Sequence, residues 1–447
     1  MSRVAFYTLG CKVNQYETDA MTELFKEAGY EIADFHEPAD IYIINTCTVT
    51  NIADRKSRQM LHRAKKQNPD SLVVAVGCYA QEAGEALTKD AAVDLVVGNN
   101  RKKDIVQIVA EAAGHPGAPA ADVIDMSRAQ PYETLTIHEV SEHTRAYIKI
   151  QDGCNQFCSY CIIPYARGRV RSRQPEDILE EVRGLAKKGF KEIVLTGIHI
   201  SSYGLDFEGV EYDKKHSNGG HLIRLIEQLD QVDGLERIRL SSLEPRLMTE
   251  EFVKRLAAVR RICPHFHLSL QSGCDTVLAR MNRKYTTDEY LRVCGLLRTY
   301  FDRPALTTDV IVGFPQETEE EFAATVDFVQ KVGFAQMHVF KYSRRQGTRA
   351  AAMEGQVDEQ VKNERSAALL AVDERLREAY IKENSDKILE VLAEEIVEAG
   401  GQKYMVGHSK EYIKVGLEDC KIHENQVVSG KMTGDRRKDF VICERMD

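Results

Sequence analysis

The chain of 447 residues carries 69 acidic against 60 basic side chains, a net charge of −9, and is 43% hydrophobic and 29% charged. That composition fits a soluble globular protein too long for one hydrophobic core, so two or three domains are expected. No apolar run approaches the ~20 residues of a membrane span, no secretory signal is expected because no charged segment followed by an apolar one precedes the first strand, and the modest acidity leaves nucleic-acid binding to be judged from local charge. The expected location is the cytoplasm, where thiols stay reduced. The 11 cysteines are therefore read first as ligands, nucleophiles or core residues.

Residues 1–112 alternate short β-branched runs with amphipathic stretches. Residues 4–9, 41–45, 72–76 and 93–97 read as strands, and 17–28, 53–67, 81–87 and 103–112 as helices, the first closed by Gly29. Such alternation predicts a parallel sheet with helices on both faces, whose ligand sites lie at the carboxyl ends of the strands. Cys11, Cys47 and Cys78 each follow a predicted strand, in Leu9-Gly10-Cys11, Asn45-Thr46-Cys47 and Val76-Gly77-Cys78. A lone cysteine there is usually a core residue. Three in the same topological position, each behind a small residue that lets the backbone approach a bulky ligand, point to a metal cluster.

Residues 113–142 are expected to be a linker, because 113–121 is a small-residue run with no periodic pattern. Strand–helix alternation resumes over 143–383. Its strands are 146–150, 192–196, 237–241, 266–270, 306–312 and 336–342, with helices such as 319–332 and 175–188 between them, the latter with Pro175 in its first turn. Six consecutive βα units predict a barrel short of the usual eight strands, open on one side to a large substrate. The first strand runs into Gly153-Cys154-Asn155-Gln156-Phe157-Cys158-Ser159-Tyr160-Cys161. Three thiolates this close select zinc or an iron–sulfur centre. Structural zinc takes four ligands, usually as two pairs, and no second pair stands nearby; a cuboidal cluster held at three corners leaves one iron open to a small molecule. Zinc and a metal-free loop are the other readings.

Residues 359–383 read as one charged helix. In 384–447, short strands at 387–395, 402–409, 412–417, 426–433 and 439–444 predict a small β-barrel, a fold that often binds nucleic acid. The basic run Arg436-Arg437-Lys438 is placed on a turn. Residues 386–447 hold 10 Lys or Arg against 13 Asp or Glu, so charge does not argue for an RNA role there.

The two cysteine sets, their order and the terminal β-module together resemble the methylthiotransferase family of radical S-adenosylmethionine (SAM) enzymes, over essentially the whole chain. The resemblance implies an α/β protein of three parts. A parallel-sheet domain (1–112) holds an auxiliary 4Fe-4S cluster on Cys11, Cys47 and Cys78; an open (βα)6 partial TIM barrel (143–383) holds the SAM-binding 4Fe-4S cluster on Cys154, Cys158 and Cys161; a TRAM β-barrel (384–447) ends the chain. The implied activity is insertion of a methylthio group at an unreactive carbon, one SAM methylating a sulfur on the auxiliary cluster and a second yielding a 5′-deoxyadenosyl radical. Thr8-Leu9-Gly10-Cys11-Lys12-Val13-Asn14-Gln15-Tyr16-Glu17 and Cys161-Ile162-Ile163-Pro164-Tyr165-Ala166-Arg167-Gly168 look like the branch acting on threonylcarbamoyladenosine beside the anticodon, at position 37 of tRNA. The isopentenyladenosine branch and the ribosomal protein S12 branch usually carry Asp-Ser-Glu where this chain has Tyr16-Glu17-Thr18. Their substrates are the alternatives, and a non-catalytic, zinc-holding RNA-binding protein is the reading from another class. The implied partners are the tRNA anticodon stem-loop, an electron donor such as flavodoxin or ferredoxin, and a sulfur donor, with the chain a monomer.

The resemblance also implies roles for single residues. Tyr160 matches an aromatic that packs on the SAM adenine; Thr196 and Gly197 lie near its amino group; Ser242, Glu244 and Gln271 contact ribose and carboxylate; Ile311, in Thr308-Asp309-Val310-Ile311-Val312-Gly313-Phe314-Pro315, meets the adenine through its backbone. The family usually has Gly after that proline, where this chain has Gln316. For the RNA, Arg167, Arg169, Arg171 and Arg173 alternate, which in an extended segment places them on one side as a phosphate track. Tyr342 is expected to stack on a base, and Arg344, Arg345 and Arg349 to reach the threonyl carboxylate. Cys263, Cys274, Cys294, Cys420 and Cys443 lack ligand spacing and read as core or incidental.

Overall fold

The computed structural model describes residues 2–114, 120–139, 144–207, 219–418, 421–437 and 439–446. Part of the expected linker (115–119 and 140–142), Cys420 and Lys438 lie outside them. The N-terminal elements are β1 (Arg3–Thr8), α1 (Lys12–Glu27), β2 (Glu31–Ala33), β3 (Ile41–Thr46), α2 (Asn51–Gln67), β4 (Leu72–Gly77), α3 (Cys78–Leu87), β5 (Leu95–Val97), α4 (Ile105–Ala113) and β6 (Ala120–Asp122). The sheet is wholly parallel, in the order β2-β1-β3-β4-β5-β6. β2 and β6 are each three residues long, too short to show a period of two. β6 adds an edge strand inside the expected linker. α1 begins five residues before its predicted start, because Cys11 is its extended N-cap and a turn of mostly polar residues precedes the apolar stripe.

The central body contains β7 (Arg145–Asp152), α5 (Ile163–Ala166), β8 (Arg171–Ser172), α6 (Pro175–Lys187), β9 (Glu192–Gly197), α7 (Gly220–Leu229), β10 (Arg237–Leu240), α8 (Glu250–Ala257), β11 (His265–His267), α9 (Asp275–Arg280), α10 (Thr287–Tyr300), β12 (Ala305–Val312), α11 (Glu319–Val332), β13 (Gln336–Lys341) and α12 (Glu359–Glu383). Six strands run parallel in the order β7-β9-β10 and β11-β12-β13; single bridges, Ile238 to Ile262 and Leu243 to Leu268, join the halves. The two-residue β8 pairs antiparallel with β7. Alternation sorts the faces. Ile148, Ile193, Ile238, Phe266, Leu306 and Met337 enter the core beneath the helices. Their neighbours Lys149, Glu192, Arg239, His267, Thr307 and His338 are polar and belong to the opposite, lumen face.

A closed five-stranded barrel ends the chain: β14 (Ile388–Ala399), β15 (Gln402–Ser409), β16 (Lys414–Leu417), β17 (Val427–Arg437) and β18 (Phe440–Arg445). Arg436 and Arg437 finish β17 instead of standing on a turn, and Arg436 pairs with Glu378 at 3.3 Å. The barrel plugs the amino-terminal mouth of the central one. Arg237 donates to the carbonyls of Glu390 and His408, Arg239 to those of Ser409 and Lys410, and the Tyr412 ring stacks on His265 at 4.1 Å. Glu192 sits under this floor; burial opposes its charge, but Arg239, Arg145 and Arg237 outweigh burial and hold it down to about 2. Among the described residues no helix is long and apolar enough to cross a membrane.

Candidate cluster sites and their shared wall

The loop after β7 is anchored along its length. Gly153 (φ +70°) lies so close to the 168–169 backbone that a Cβ would sit 1.8 Å from the Arg169 carbonyl oxygen, and Cys154 N donates to Gly168 O. Ser159 N donates to Met281 O, Ala350 N to Ser159 O, and Asn282 Nδ2 to Phe157 O. Cys154, Cys158 and Cys161 are partly buried. Burial pushes the Cys154 thiol up to about 12 and raises Cys161 as well. A thiol becomes a ligand only as its thiolate, so these sites call for cations. One is present: Arg283 Nη1 donates to Cys158 Sγ at 3.2 Å.

In the N-terminal domain, Cys11 caps α1, Cys47 follows β3 and Cys78 opens α3, all at the carboxyl edge of the sheet. Gly10 (φ +109°) packs against Cys47, where a Cβ would meet its Sγ at 3.1 Å. The charges of Cys78 and Cys11 act on Cys47, which burial pushes up to about 12. The structure thus brings this trio together, as it does the other. Three thiolates on one zinc at about 2.3 Å would stand about 3.8 Å apart. Among the described residues the one set of three ligand atoms mutually within 4.8 Å is His267, Asp309 and His338, not either cysteine trio.

Between the two trios lies a wholly buried ionic cage. Arg167 Nε donates to Cys78 Sγ at 3.1 Å, its Nη1 to Glu17 and Asp152, and its Nη2 to Glu17 and Asn14. Lys149 contacts Glu17 and Asp152 at 2.7 Å each, and Lys102 contacts Glu17 at 3.2 Å. Burial works against a charged Glu17, but Arg167, Lys102 and Lys149 outweigh it and hold its carboxyl well below the usual range. Lys102, Lys149 and Arg167 outnumber Glu17 and Asp152 even before Arg171, 3.5 Å from Asp152, is counted. The surplus positive charge lies against the Cys78 sulfur.

The arginine track does not form. Arg167, Arg171 and Arg173 are buried, Arg173 against Glu181 and Tyr16, because α5 and the short β8 replace an extended run; Arg169 alone is exposed, its guanidinium 4.6 Å over Phe157. Arg345 is also buried and clamps the domains together, on Thr48, Asn51 and Asp54. Arg344 is exposed with Nε on Ala351 O, and Arg349 is exposed. The Tyr342 ring packs on Phe314, with Lys362 Nζ 5.7 Å from it, so it is not free to stack on a base; Phe340, which no pattern singled out, is 47% exposed.

At the same carboxyl rim, Tyr160 packs edge-on to Phe314, and Thr196 and Gly197 end β9. Gly197 leaves no room for a side chain, its Cβ position being 2.9 Å from Gln151 O. Ser242 is exposed, while Glu244 is buried among Gln156, His199 and Arg246. Burial opposes its charge, but His199 and Arg246 depress its carboxyl. Gln271 (φ +71°) bonds through its backbone to Asp309 O and Ile311 N. A cavity of about 1350 Å³ opens beside the loop residues Asn155 and Gln156, between Arg246 and Tyr285. Gln316 adopts the left-handed conformation expected of the family's glycine (φ +65°), with its N–H on Gly355 O at 2.7 Å. That conformation costs an L-residue about 1 kcal/mol. Gln316→Gly should therefore unfold at the same denaturant midpoint or slightly higher, and Gln316→Val at a lower one, as chemical denaturation will show.

Comparison with known proteins agrees with this geometry. The family model "Radical SAM superfamily" matches residues 148–329, and "Uncharacterized protein family UPF0004" matches 3–98. The chain is 44% identical to a threonylcarbamoyladenosine tRNA methylthiotransferase, MtaB, of Bacillus subtilis, over 94% of this chain and 92% of that protein. It is 37% identical to a tRNA-2-methylthio-N(6)-dimethylallyladenosine synthase of Acetivibrio thermocellus, over 87% and 79%. The solved structure of the radical SAM methyltransferase TsrM from Kitasatospora setae, with cobalamin and a [4Fe-4S] cluster bound, shares the fold at a TM-score of 0.58 and 18% identity, covering 78% of this chain and 74% of that one. Two cysteine trios on two domains, matched by relatives along almost their whole length, place the chain in the radical SAM tRNA methylthiotransferase family.

Proposed function

We propose that this enzyme inserts a methylthio group at C2 of N6-threonylcarbamoyladenosine at position 37 of tRNA. The observation that carries the reading is the pair of cysteine trios on either side of one wall, where Arg167, from the segment after one trio, bonds a thiol of the other. Two facts favour this substrate over isopentenyladenosine or an S12 aspartate. Identity is higher to the threonylcarbamoyl relative, and Tyr16-Glu17-Thr18 stands where the other branches usually carry Asp-Ser-Glu.

Cys154, Cys158 and Cys161 hold the SAM-binding 4Fe-4S cluster, and Cys11, Cys47 and Cys78 the auxiliary one. When bound, these groups and SAM supply the one-electron chemistry that a C2–H bond, neither acidic nor electrophilic, requires. The chain's part is to bind and orient. Tyr160, Thr196, Gly197, Ser242, Glu244, Gln271 and Ile311 form the SAM rim in this reading. The buried cage from Glu17 to Arg167 excludes water between the two sites. Arg169, Arg344 and Arg349 are the exposed arginines left to meet the anticodon stem-loop. The reading includes a cytoplasmic monomer served by an electron donor such as flavodoxin or ferredoxin and by a sulfur donor.

Nucleoside digests of tRNA from a deletion strain test the assignment. The expected result is loss of the methylthio derivative with accumulation of threonylcarbamoyladenosine. Unchanged tRNA nucleosides with an unmodified S12 aspartate, or loss confined to the isopentenyl derivative, would overturn it.

A further inference from the structure

Outside the cluster sites and the SAM rim, α2 has an outer face with no assigned task. The helix holds six Lys or Arg against a single acid, Asp54, in a chain whose net charge is −9. Its buried residues Ser57, Leu61 and Ala64 lie on one side at helical spacing. Arg55, Gln59, His62, Arg63 and Lys66 fall on the other side, with Lys56 and Arg58 at its margins, and all seven are exposed.

Much of this charge is unmatched. Asp54 is taken by Arg345, Asp94 holds Lys65 at 2.9 Å, and Asp90 lies 3.0 Å from His62. Arg58 and Arg63 bond the Tyr79 hydroxyl and the His36 ring, neither of them a carboxylate. Arg55, Lys56 and Lys66 have no carboxylate partner among the described residues. The terminal barrel has no such surplus, with 10 Lys or Arg against 13 Asp or Glu over 386–447.

The direction of the helix gives the charge a meaning. α2 starts just after Cys47, at the carboxyl edge of the sheet, and runs away from the auxiliary trio. At this end Asn51 bonds Ser343 Oγ and Arg344 O across the domain boundary, at 3.1 Å each, beside the exposed Arg344 and Arg349. Val49 and Ile52, also at this end, are 53% and 55% exposed. From Arg55 to Lys66 the cations then extend over ~16 Å, at about 1.5 Å per residue. An apolar end beside Cys47 and a cationic ridge leading away match a nucleic-acid hairpin, which has unpaired bases at its tip and phosphates along its stem. A helix lying on a membrane would need apolar residues along the whole face. An acidic electron donor would have to reach the Cys154 trio, which belongs to the other domain.

We infer that the outer face of α2 binds the phosphates of the anticodon stem of the substrate tRNA, through Arg55, Lys56, Arg63 and Lys66. This inference rests on the tRNA reading above, and it adds a surface for the stem to the exposed arginines assigned there.

The test measures binding of two probes to the reconstituted holoenzyme over a range of salt: the anticodon stem-loop, and its loop sequence as a short single strand. Arg55→Gln/Lys56→Gln/Lys66→Gln should bind the stem-loop about 10- to 100-fold more weakly near physiological salt. The slope of log K against log salt should fall by about 2 to 3, at ~0.7–0.9 per lost phosphate contact. The single strand should bind the native and glutamine proteins alike, and Arg55→Lys/Lys56→Arg/Lys66→Arg should keep the native slope. Iron content and denaturation midpoint, read on each preparation, should stay at native values because all three side chains are exposed. Equal slopes for the native and glutamine proteins overturn the inference, as does an equal loss on both probes. Native stem-loop binding combined with slower reduction of the clusters by flavodoxin gives the face to an acidic protein and also overturns it. Should the glutamine protein misfold, Lys66→Glu alone, at the end of α2 remote from Cys47, decides by the same slopes. A native enzyme that binds no stem-loop refutes the tRNA reading itself; native binding that the variants leave unchanged refutes this surface alone.

Discussion

A Cys154→Ala enzyme should lose reductive cleavage of SAM altogether, while a Cys11→Ala enzyme should still cleave SAM and form no methylthio product. The asymmetry follows from where the thiols sit. Cys154 belongs to the loop whose backbone is pinned to Gly168, Met281, Asn282 and Ala350 at the carboxyl rim of the barrel, facing the residues assigned to SAM. Cys11 belongs to the other domain and is linked to the cage through Asn14, which Arg167 also bonds. Each substitution should lower bound iron from about eight to about four per chain. Deoxyadenosine release, product formation and iron are measured on the same preparations. Cleavage that survives Cys154→Ala would remove the basis for assigning the two clusters.

Arg167→Met should destabilise the protein by about 3–5 kcal/mol, the usual result of deleting one partner from a buried charge group, and should lose iron from the auxiliary site alone. Methionine fills much of the space but leaves Glu17 and Asp152 with fewer donors and removes the cation bonded to Cys78. Without the cation beside it, that sulfur competes poorly for metal. Arg167→Lys keeps the charge but cannot bond Cys78, Glu17 and Asn14 from one planar fork, so its effect should fall between. Denaturant unfolding followed by iron and visible absorption distinguishes the variants; native stability with a full iron complement in Arg167→Met would refute the electrostatic account of the cage.

The six candidate ligand cysteines stand out in the sequence because their signal is local: a spacing within one loop, and a position directly after three strands. The barrel was legible for the same reason, since its outward residues are apolar with a period of two. What the pattern concealed was partnership at long range. Arg167 reads as one of four alternating basic residues, and nothing near it announces a carboxylate 150 positions away at Glu17. Extended-chain reasoning then placed Arg171 and Arg173 on a surface, whereas a helical turn and a two-residue strand rotate them inward. One signal was available. Lys149 and Asp152 interrupt the apolar run of β7, and charged residues inside a core strand need buried partners. Tyr342 misled for the opposite reason: on a stretch read as functional, its ring serves the core with Phe314, and the exposed aromatic of that strand is Phe340.

The plug formed by Tyr412 and the carbonyls of residues 408–410 comes from a module that follows the central barrel in the chain and is synthesised after it. Domains fold in the order in which they emerge from the ribosome. The central barrel therefore assembles with its lower mouth open, and Arg239, His265 and Glu192 remain hydrated until the terminal module docks. A chain stopped before residue 408 would keep both cysteine trios and still lack a sealed lumen, a defect that hydrogen exchange at β10 would reveal. Closure of the reaction chamber is thus conditional on synthesis of the module that follows it.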